Sequence, residues 1–246
     1  MFETKSEILK HLVDKFPKRI KELENIFNKK TNIYIDYANI LSWNDRLHFN
    51  IDLKRFYQFF RSFKNVDKIY FYYWTLEWNK KSEKLIKDVT SFWYDIKTKS
   101  VKIMKKSIDT TSIDPSSTAI LDNFIRKSLL IELKVATIEY LNEKLWELNK
   151  QWLKFIEDRK CNFDVEIWIQ MHEDMRNWNI ENFILLSWDS DFYDIIEQLN
   201  VNSNKIFIFS TAWKISRELN ESSAIVYDLK KIRNFICWKK QMDQNL

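Results

Sequence analysis

Apolar positions in the first thirty residues recur three and four apart: Ile8, Leu9, Leu12, Val13, Phe16, Ile20, Leu23 and Ile26. That period predicts a helix, or a pair broken near Pro17, over residues 4–29. The period then changes. Residues 32–36 open a series of short unbroken runs rich in Ile, Tyr, Phe and Val, continued at 68–73, 94–103, 182–187, 205–210 and 224–229. Runs without polar alternation predict strands buried on both faces. Helical patterns lie between them at 52–63, 79–92, 189–200 and 213–220. The alternation implies the α/β class, with a mainly parallel sheet between two layers of helices.

Residues 104–160 break the rhythm. The stretch 107–118 is rich in Ser, Thr, Asp and Pro and predicts a surface loop, with helices near 119–133 and 136–155 behind it. This reads as an insertion against the sheet edge, or a lid. A last helix at 230–240 places Ile232, Phe235 and Ile236 on one face. The expected organisation is an N-terminal helical extension, residues 1–30, and one domain over 31–240 that carries the insertion.

Composition sharpens one point. The chain of 246 residues has no glycine and 11 tryptophans, where an average usage of about 7% would supply roughly 17 glycines. Trp74, Trp188 and Trp213 sit where tight turns are expected, and glycine alone reaches left-handed backbone angles without steric cost. The hypothesis that follows is that UGA codons for glycine have been read as tryptophan, with the codons at 74, 188 and 213 as its test. Residues 187–192 would then read Ser-Gly-Asp-Ser-Asp-Phe.

The rest of the composition, 45% hydrophobic and 30% charged, is that of a globular protein rather than a disordered one. No apolar run of about 20 residues and no signal-peptide core are visible, so a cytoplasmic location is expected. Two cysteines, Cys161 and Cys237, are too few for a disulfide framework or a thiolate metal site. The net charge of +5 is compatible with a polyanionic partner without specifying one.

Two of the runs end in acids: Asp36 after the first, and Asp189 with Asp191 after 182–187. In an open parallel sheet, ligands collect at the carboxyl ends of the strands. Carboxylates gathered there repel one another and call for a cation. Without Cys or His partners, hard oxygen ligands point to Mg²⁺ or Mn²⁺. Asp164, at the start of a helical run, is a fourth candidate ligand. Such a centre suits phosphodiester hydrolysis. Each acid also has a plainer role as a helix N-cap, and an Asp-X-Asp pair alone also serves phosphatases and sugar transferases.

The segments Ile33-Tyr-Ile-Asp36-Tyr-Ala-Asn39 and Ser187-Trp188-Asp189-Ser190-Asp191-Phe192 resemble the two signatures of NYN-domain proteins, the PIN-like ribonucleases. Cys161-Asn-Phe-Asp164 is similar to the segment that supplies the middle acid of that family, and Lys214-Ile-Ser216-Arg217 to the element after the next strand. The resemblance, over about residues 31–237, implies a PIN-like three-layer α/β/α sandwich and a Mg²⁺- or Mn²⁺-dependent centre acting on RNA. Asp36, Asp164, Asp189 and Asp191 would be the catalytic, metal-holding acids. Asn39 and Ser187 would be polar supports, and Lys214, Ser216 and Arg217 would meet the substrate.

There are departures. Many relatives carry a further acid where this chain has Gln170, although Glu173 and Asp174 follow, and Tyr37 stands at a frequent glycine. A catalytically silent RNA-binding or regulatory module is therefore the rival reading. The lysines at 97, 99, 102, 105 and 106 suit either RNA phosphates or a guarded strand edge. Aromatics at 70–73 fit core packing better than base stacking, and His11, His48 and His172 show no ligand spacing.

Overall fold

The computed structural model describes residues 1–41, 49–76, 79–177, 179–200, 204–211 and 215–239. The chain divides into two compact units, one of Met1–Ser100 with Asn162–Leu246 and one of Val101–Cys161.

The first unit opens with helices α1 (Glu7–Lys15) and α2 (Pro17–Ile26), separated where Pro17 starts the second. Strand β1 (Thr31–Asp36) runs into the short α3 (Tyr37–Leu41). Then come β2 (Phe49–Ile51), α4 (Leu53–Arg61), β3 (Val66–Thr75), α5 (Lys80–Ser91) and β4 (Asp95–Ser100). Polar caps start both helices: Asp52 accepts from the Arg55 amide, and Asn79 from those of Lys81 and Ser82.

The second unit holds β5 (Lys102–Ser107), α6 (Lys127–Glu132), α7 (Val135–Lys150) and β6 (Phe155–Lys160). The first unit resumes with α8 (Asp164–Asn177), β7 (Asn182–Leu186), α9 (Tyr193–Asn200) and β8 (Lys205–Ser210). It closes with α10 (Arg217–Glu221), β9 (Ile225–Asp228), α11 (Arg233–Ile236) and β10 (Cys237–Lys239).

Six strands form one sheet in the order β4-β3-β1-β7-β8-β9, and every neighbouring pair is parallel. Every residue of β1 and β7 is buried, whereas the edge strand β4 is mostly exposed. Unbroken apolar runs therefore occupy the middle of the sheet, where both faces are covered. On one face, Ile33, Ile35, Phe71 and Phe209 join a core with Leu9, Ile20 and Leu23 from the N-terminal helices and Phe56, Phe59 and Phe60 from α4. On the other face α8 is pinned by Asp174, which accepts from Tyr34 Oη (2.6 Å), Asn32 Nδ2 (2.7 Å) and Tyr70 Oη (3.0 Å). A parallel six-stranded sheet with helices on both sides makes this a PIN-like three-layer sandwich. None of its described helices is long and apolar enough to cross a membrane.

Three expectations about elements are corrected. The run 94–103 is not one strand: it ends at Ser100, and Lys102–Ser107 pairs antiparallel with Phe155–Lys160 inside the second unit. The helix expected over 136–155 stops at Lys150, and Phe155 belongs to β6. The closing helix is only Arg233–Ile236, preceded by a 3₁₀ turn and followed by β10, which pairs antiparallel with β2. Ile232, Phe235 and Ile236 are nonetheless buried as their spacing implied.

In the second unit, the turn-rich loop is tied to α7 by two buried asparagines. Asn142 Nδ2 donates to the Pro115 and Ser117 carbonyls at 2.7 and 2.8 Å, and Asn149 Oδ1 accepts from the Thr110 amide at 2.9 Å.

The tryptophan expectation is corrected in its positions. Among the described residues φ is positive at Trp93 (73°), Trp152 (68°) and Asn179 (51°), and not at Trp74 or Trp188. Trp74 stacks on Tyr73, and both Trp74 and Trp188 pack against the core. Trp213 lies outside the described residues.

Candidate metal centre

The sheet order decides where a site can form. From β1 the chain builds outward through β3 and β4, then crosses to the other side of β1 for β7, β8 and β9. Loops leaving the carboxyl ends of β1 and β7 therefore part in opposite directions and leave a crevice. Ile35 pairs with Leu186, which sets Asp36 and Ser187 side by side at its mouth.

Asn39, one helical turn beyond Asp36, bridges the two strand ends: its amide nitrogen donates to Asp36 Oδ2 (2.6 Å) and to Ser187 Oγ (2.8 Å). Ser187 Oγ also accepts from the Asp189 amide, and Asp189 Oδ1 from the Asp191 amide, both at 3.2 Å. These bonds shape the loop after β7 so that Asp189 and Asp191 turn toward the start of α8. Asp164 stands there as the first helical residue, with Asn162 Nδ2 donating to its Oδ2 at 2.8 Å. One carboxylate oxygen from each of Asp164, Asp189 and Asp191 lies within 4.8 Å of the others.

Asp36 is 6% exposed and lies in the electrostatic field of this group. Burial, and then the charge of Asp164, push its pKa up to about 6; the Asn39 and Ala38 amides oppose the rise and Asp189 adds to it. Asp164 is also pushed up to about 6, first by burial and next by Asp189 and Asp191, against the Asn162 hydrogen bond. Two carboxylates at the 4.8 Å separation repel by roughly 3.5 kcal/mol at an effective dielectric near 20.

A divalent cation suits this donor set. Oxygen ligands at ~2.1 to ~2.4 Å from one ion stand up to ~4.2 to ~4.8 Å apart across it, and the three oxygens fall within that span. At the same carboxyl edge of the sheet, the buried hydroxyls of Ser210 and Thr211 have no hydrogen-bond partner among the described residues. Sequence reasoning missed both, because a serine and a threonine after a strand carry no distinguishing pattern.

The remaining candidates are less uniform. Ser216 is an N-cap whose Oγ accepts from the Leu219 amide, while its own amide donates to the Trp188 carbonyl at 3.2 Å, tying the start of α10 to the acid loop. Arg217 is exposed and paired with Glu221 at 2.8 Å. Lys214 lies outside the described residues, as does His48. Gln170 Nε2 donates to Asp174 Oδ1 at 3.1 Å. Neither following acid replaces it at the centre, since Asp174 is fully buried under four donors and Glu173 is exposed.

Glu166, overlooked in the sequence, adds its charge to the environment of Asp164 and pairs with Lys99 at 2.6 Å. Tyr37 is core, 4.7 Å from Phe71 between ring centroids. The lysine run is divided, Lys97 and Lys99 in one unit and Lys102, Lys105 and Lys106 in the other. His172 lies against Trp168, and His11 is exposed.

Fold and site together give a PIN/NYN-like fold with an aspartate cluster able to coordinate a divalent cation. No family model matches the chain. Over 78 residues it is 35% identical to the low amplitude and bright protein LabA of Synechococcus elongatus, a stretch that is 32% of this chain and 41% of LabA. The chain thus matches less than half the length of that relative. A crystal structure of a protein of unknown function from Vibrio parahaemolyticus superposes with a TM-score of 0.51 at 14% identity, covering 85% of this chain and 96% of that one. At such identity the likeness is one of fold.

Proposed function

We propose that the chain is a metal-dependent ribonuclease of the NYN/PIN-like group, hydrolysing RNA phosphodiester bonds at the crevice between β1 and β7. The observation that carries this reading is the meeting of three carboxylate oxygens within 4.8 Å, with a fourth acid electrostatically coupled beside them.

Asp164, Asp189 and Asp191 would hold Mg²⁺ or Mn²⁺, and Asp36 would complete the negative field. Bound there, the cation supplies Lewis-acid polarisation of a phosphoryl oxygen and lowers the pKa of water. Asn39 keeps Asp36 and Ser187 in register, so that the acids are positioned before substrate arrives. Asp36, raised to about 6, is suited to take up a proton from attacking water near neutral pH. Lys214, Ser216 and Arg217 lie along the chain that follows β8 and are assigned to the RNA backbone.

A second reading, an RNA-binding module without catalysis, is favoured by one observation: at the position where relatives carry another acid, Gln170 is engaged with Asp174. Labelled single-stranded RNA incubated with and without Mn²⁺ separates the two. Metal-dependent cleavage lost in Asp36→Asn and Asp189→Asn supports the enzyme. Binding without cleavage supports the module, and cleavage unchanged in both variants rejects the assigned centre.

A further inference from the structure

A cavity of about 420 Å³ lies between the edge strand β4 and helix α8, within the ~300–1,000 Å³ usual for small-ligand sites. Tyr72, Lys97, Lys99, Phe163, Glu166 and Gln170 are among its walls. It adjoins the acids, since Phe163 and Glu166 flank Asp164 in the chain.

Tyr72 is 1% exposed, its ring 5.7 Å from that of Phe163, and its hydroxyl has no hydrogen-bond partner among the described residues. Tyr34 and Tyr70 differ in that the hydroxyls of both donate hydrogen bonds to Asp174. Burial, and then the charges of Asp174 and Glu166, raise the Tyr72 pKa, so its hydroxyl stays protonated. It is a donor with no acceptor among the described residues, where phenylalanine would fill the same space. Glu166 presents the converse: Oε1 is held by Lys99, while Oε2 is buried and lacks a hydrogen-bond partner among the described residues. Lys97 is exposed on β4, in register with Tyr72. A donor, an acceptor, an aromatic wall and an ammonium group around one cavity match a ribonucleotide.

We infer that this cavity holds one ribonucleotide of the RNA chain, adjacent to the phosphate presented to the aspartates. Tyr72 donates to it, Glu166 accepts from it, and Lys97 faces a neighbouring phosphate. The inference rests on the ribonuclease reading, and its test keeps the two apart.

The full chain is titrated with ribonucleoside 5′-monophosphates in EDTA, and RNA cleavage is measured separately with Mn²⁺. Tyr72→Phe is expected to weaken mononucleotide binding by about 10-fold, the worth of one good hydrogen bond. Lys97→Ala, on the exposed strand, is expected to weaken it by about 3- to 10-fold. In cleavage, KM rises in both variants while kcat holds. Absence of mononucleotide binding by the unsubstituted chain, or binding and KM unchanged in both variants, overturns the inference. Binding that needs Tyr72 and Lys97, with no cleavage by any form, retires the nuclease reading and keeps the pocket.

A second observation stands independently of the first. Trp93 and Trp152 are 81% and 88% exposed and occupy left-handed backbone just past the ends of α5 and α7. Around Trp152 the Schellman pair is complete: its amide donates to the Asn149 carbonyl and the Leu153 amide to that of Leu148. Glycine is the usual residue at this position. An indole there buries almost nothing and crowds the backbone. In a chain of 11 tryptophans and no glycine, we infer that UGA is read as glycine in the source of this chain and that positions 93 and 152 are naturally glycines. UGA codons at both, with glycine found there by tandem mass spectrometry of the native protein, are expected. UGG at both overturns the inference.

Discussion

Helix α8 carries an aspartate near each end, and the fold treats the two in opposite ways. Asp174, close to its C-terminus, is fully buried and accepts hydrogen bonds from Asn32, Tyr34, Tyr70 and Gln170. Asp164, at its N-terminus, receives Asn162 and faces two further carboxylates. A buried charge surrounded by donors locks helix to sheet and has no lone pair to spare. A charge set among like charges keeps its lone pairs and gains from a cation. The first is a structural joint, and the second belongs to a cluster able to coordinate a cation.

The comparison breaks most sharply through activity. If the N-terminal end is the reacting centre, Asp189→Asn lowers kcat for RNA cleavage by roughly 10³-fold, several kcal/mol of transition-state stabilisation. The same variant leaves the thermal midpoint unchanged or raised, because repulsion is relieved. Single-turnover cleavage and a melt on the same preparation check both halves.

Next comes the opposite end. Asp174→Ala strands the amide of Asn32 and the hydroxyls of Tyr34 and Tyr70 and costs about 3 kcal/mol of stability. Urea unfolding measures it, and a loss below about 1 kcal/mol would remove Asp174 from the role of joint.

The third prediction concerns pH. Asp36 and Asp164 are raised from 3.8 to about 6, so over about pH 4 to 6 the folded chain keeps protons that the unfolded chain has released. Without divalent cation, stability therefore falls as pH rises across this window and levels off above it. A cation binds the ionised carboxylates, so its stabilising effect grows from about pH 5 to about pH 7. Melting curves with and without Mn²⁺ at several pH values test the sign.

The smallest effect lies away from both ends of α8. Trp152→Gly relieves an exposed left-handed indole and is expected to raise stability by about 1 kcal/mol. The change in urea midpoint reads it directly.

Much of this contrast was legible along the chain. The six apolar runs predicted the six parallel strands, and Asp36, Asp164, Asp189 and Asp191 were recognisable as acids placed after strands or at a helix start. Asp174 was not legible as a joint, because its three sheet-side partners lie at least a hundred residues away in sequence. The strand pair Lys102–Ser107 and Phe155–Lys160 was hidden, since a mixed charged stretch has no period until its partner is known. Glycine-like turns were expected from composition at Trp74 and Trp188, where φ is not positive, while the left-handed tryptophans are Trp93 and Trp152, because turn residues are recognised from backbone angles that residue type does not report.

By itself the sequence determined which residues must be buried, the alternation of strand and helix, and the supply of carboxylates after strands. These depend on hydrophobicity and local spacing, which every window of chain contains. Only the tertiary structure decided that β1 and β7 are neighbours, that Asn39 joins their ends, and that one aspartate of α8 is satisfied while the other is left open. Strand order and the direction of each loop follow from how crossovers pack over the whole sheet, and that packing is a property of no single segment.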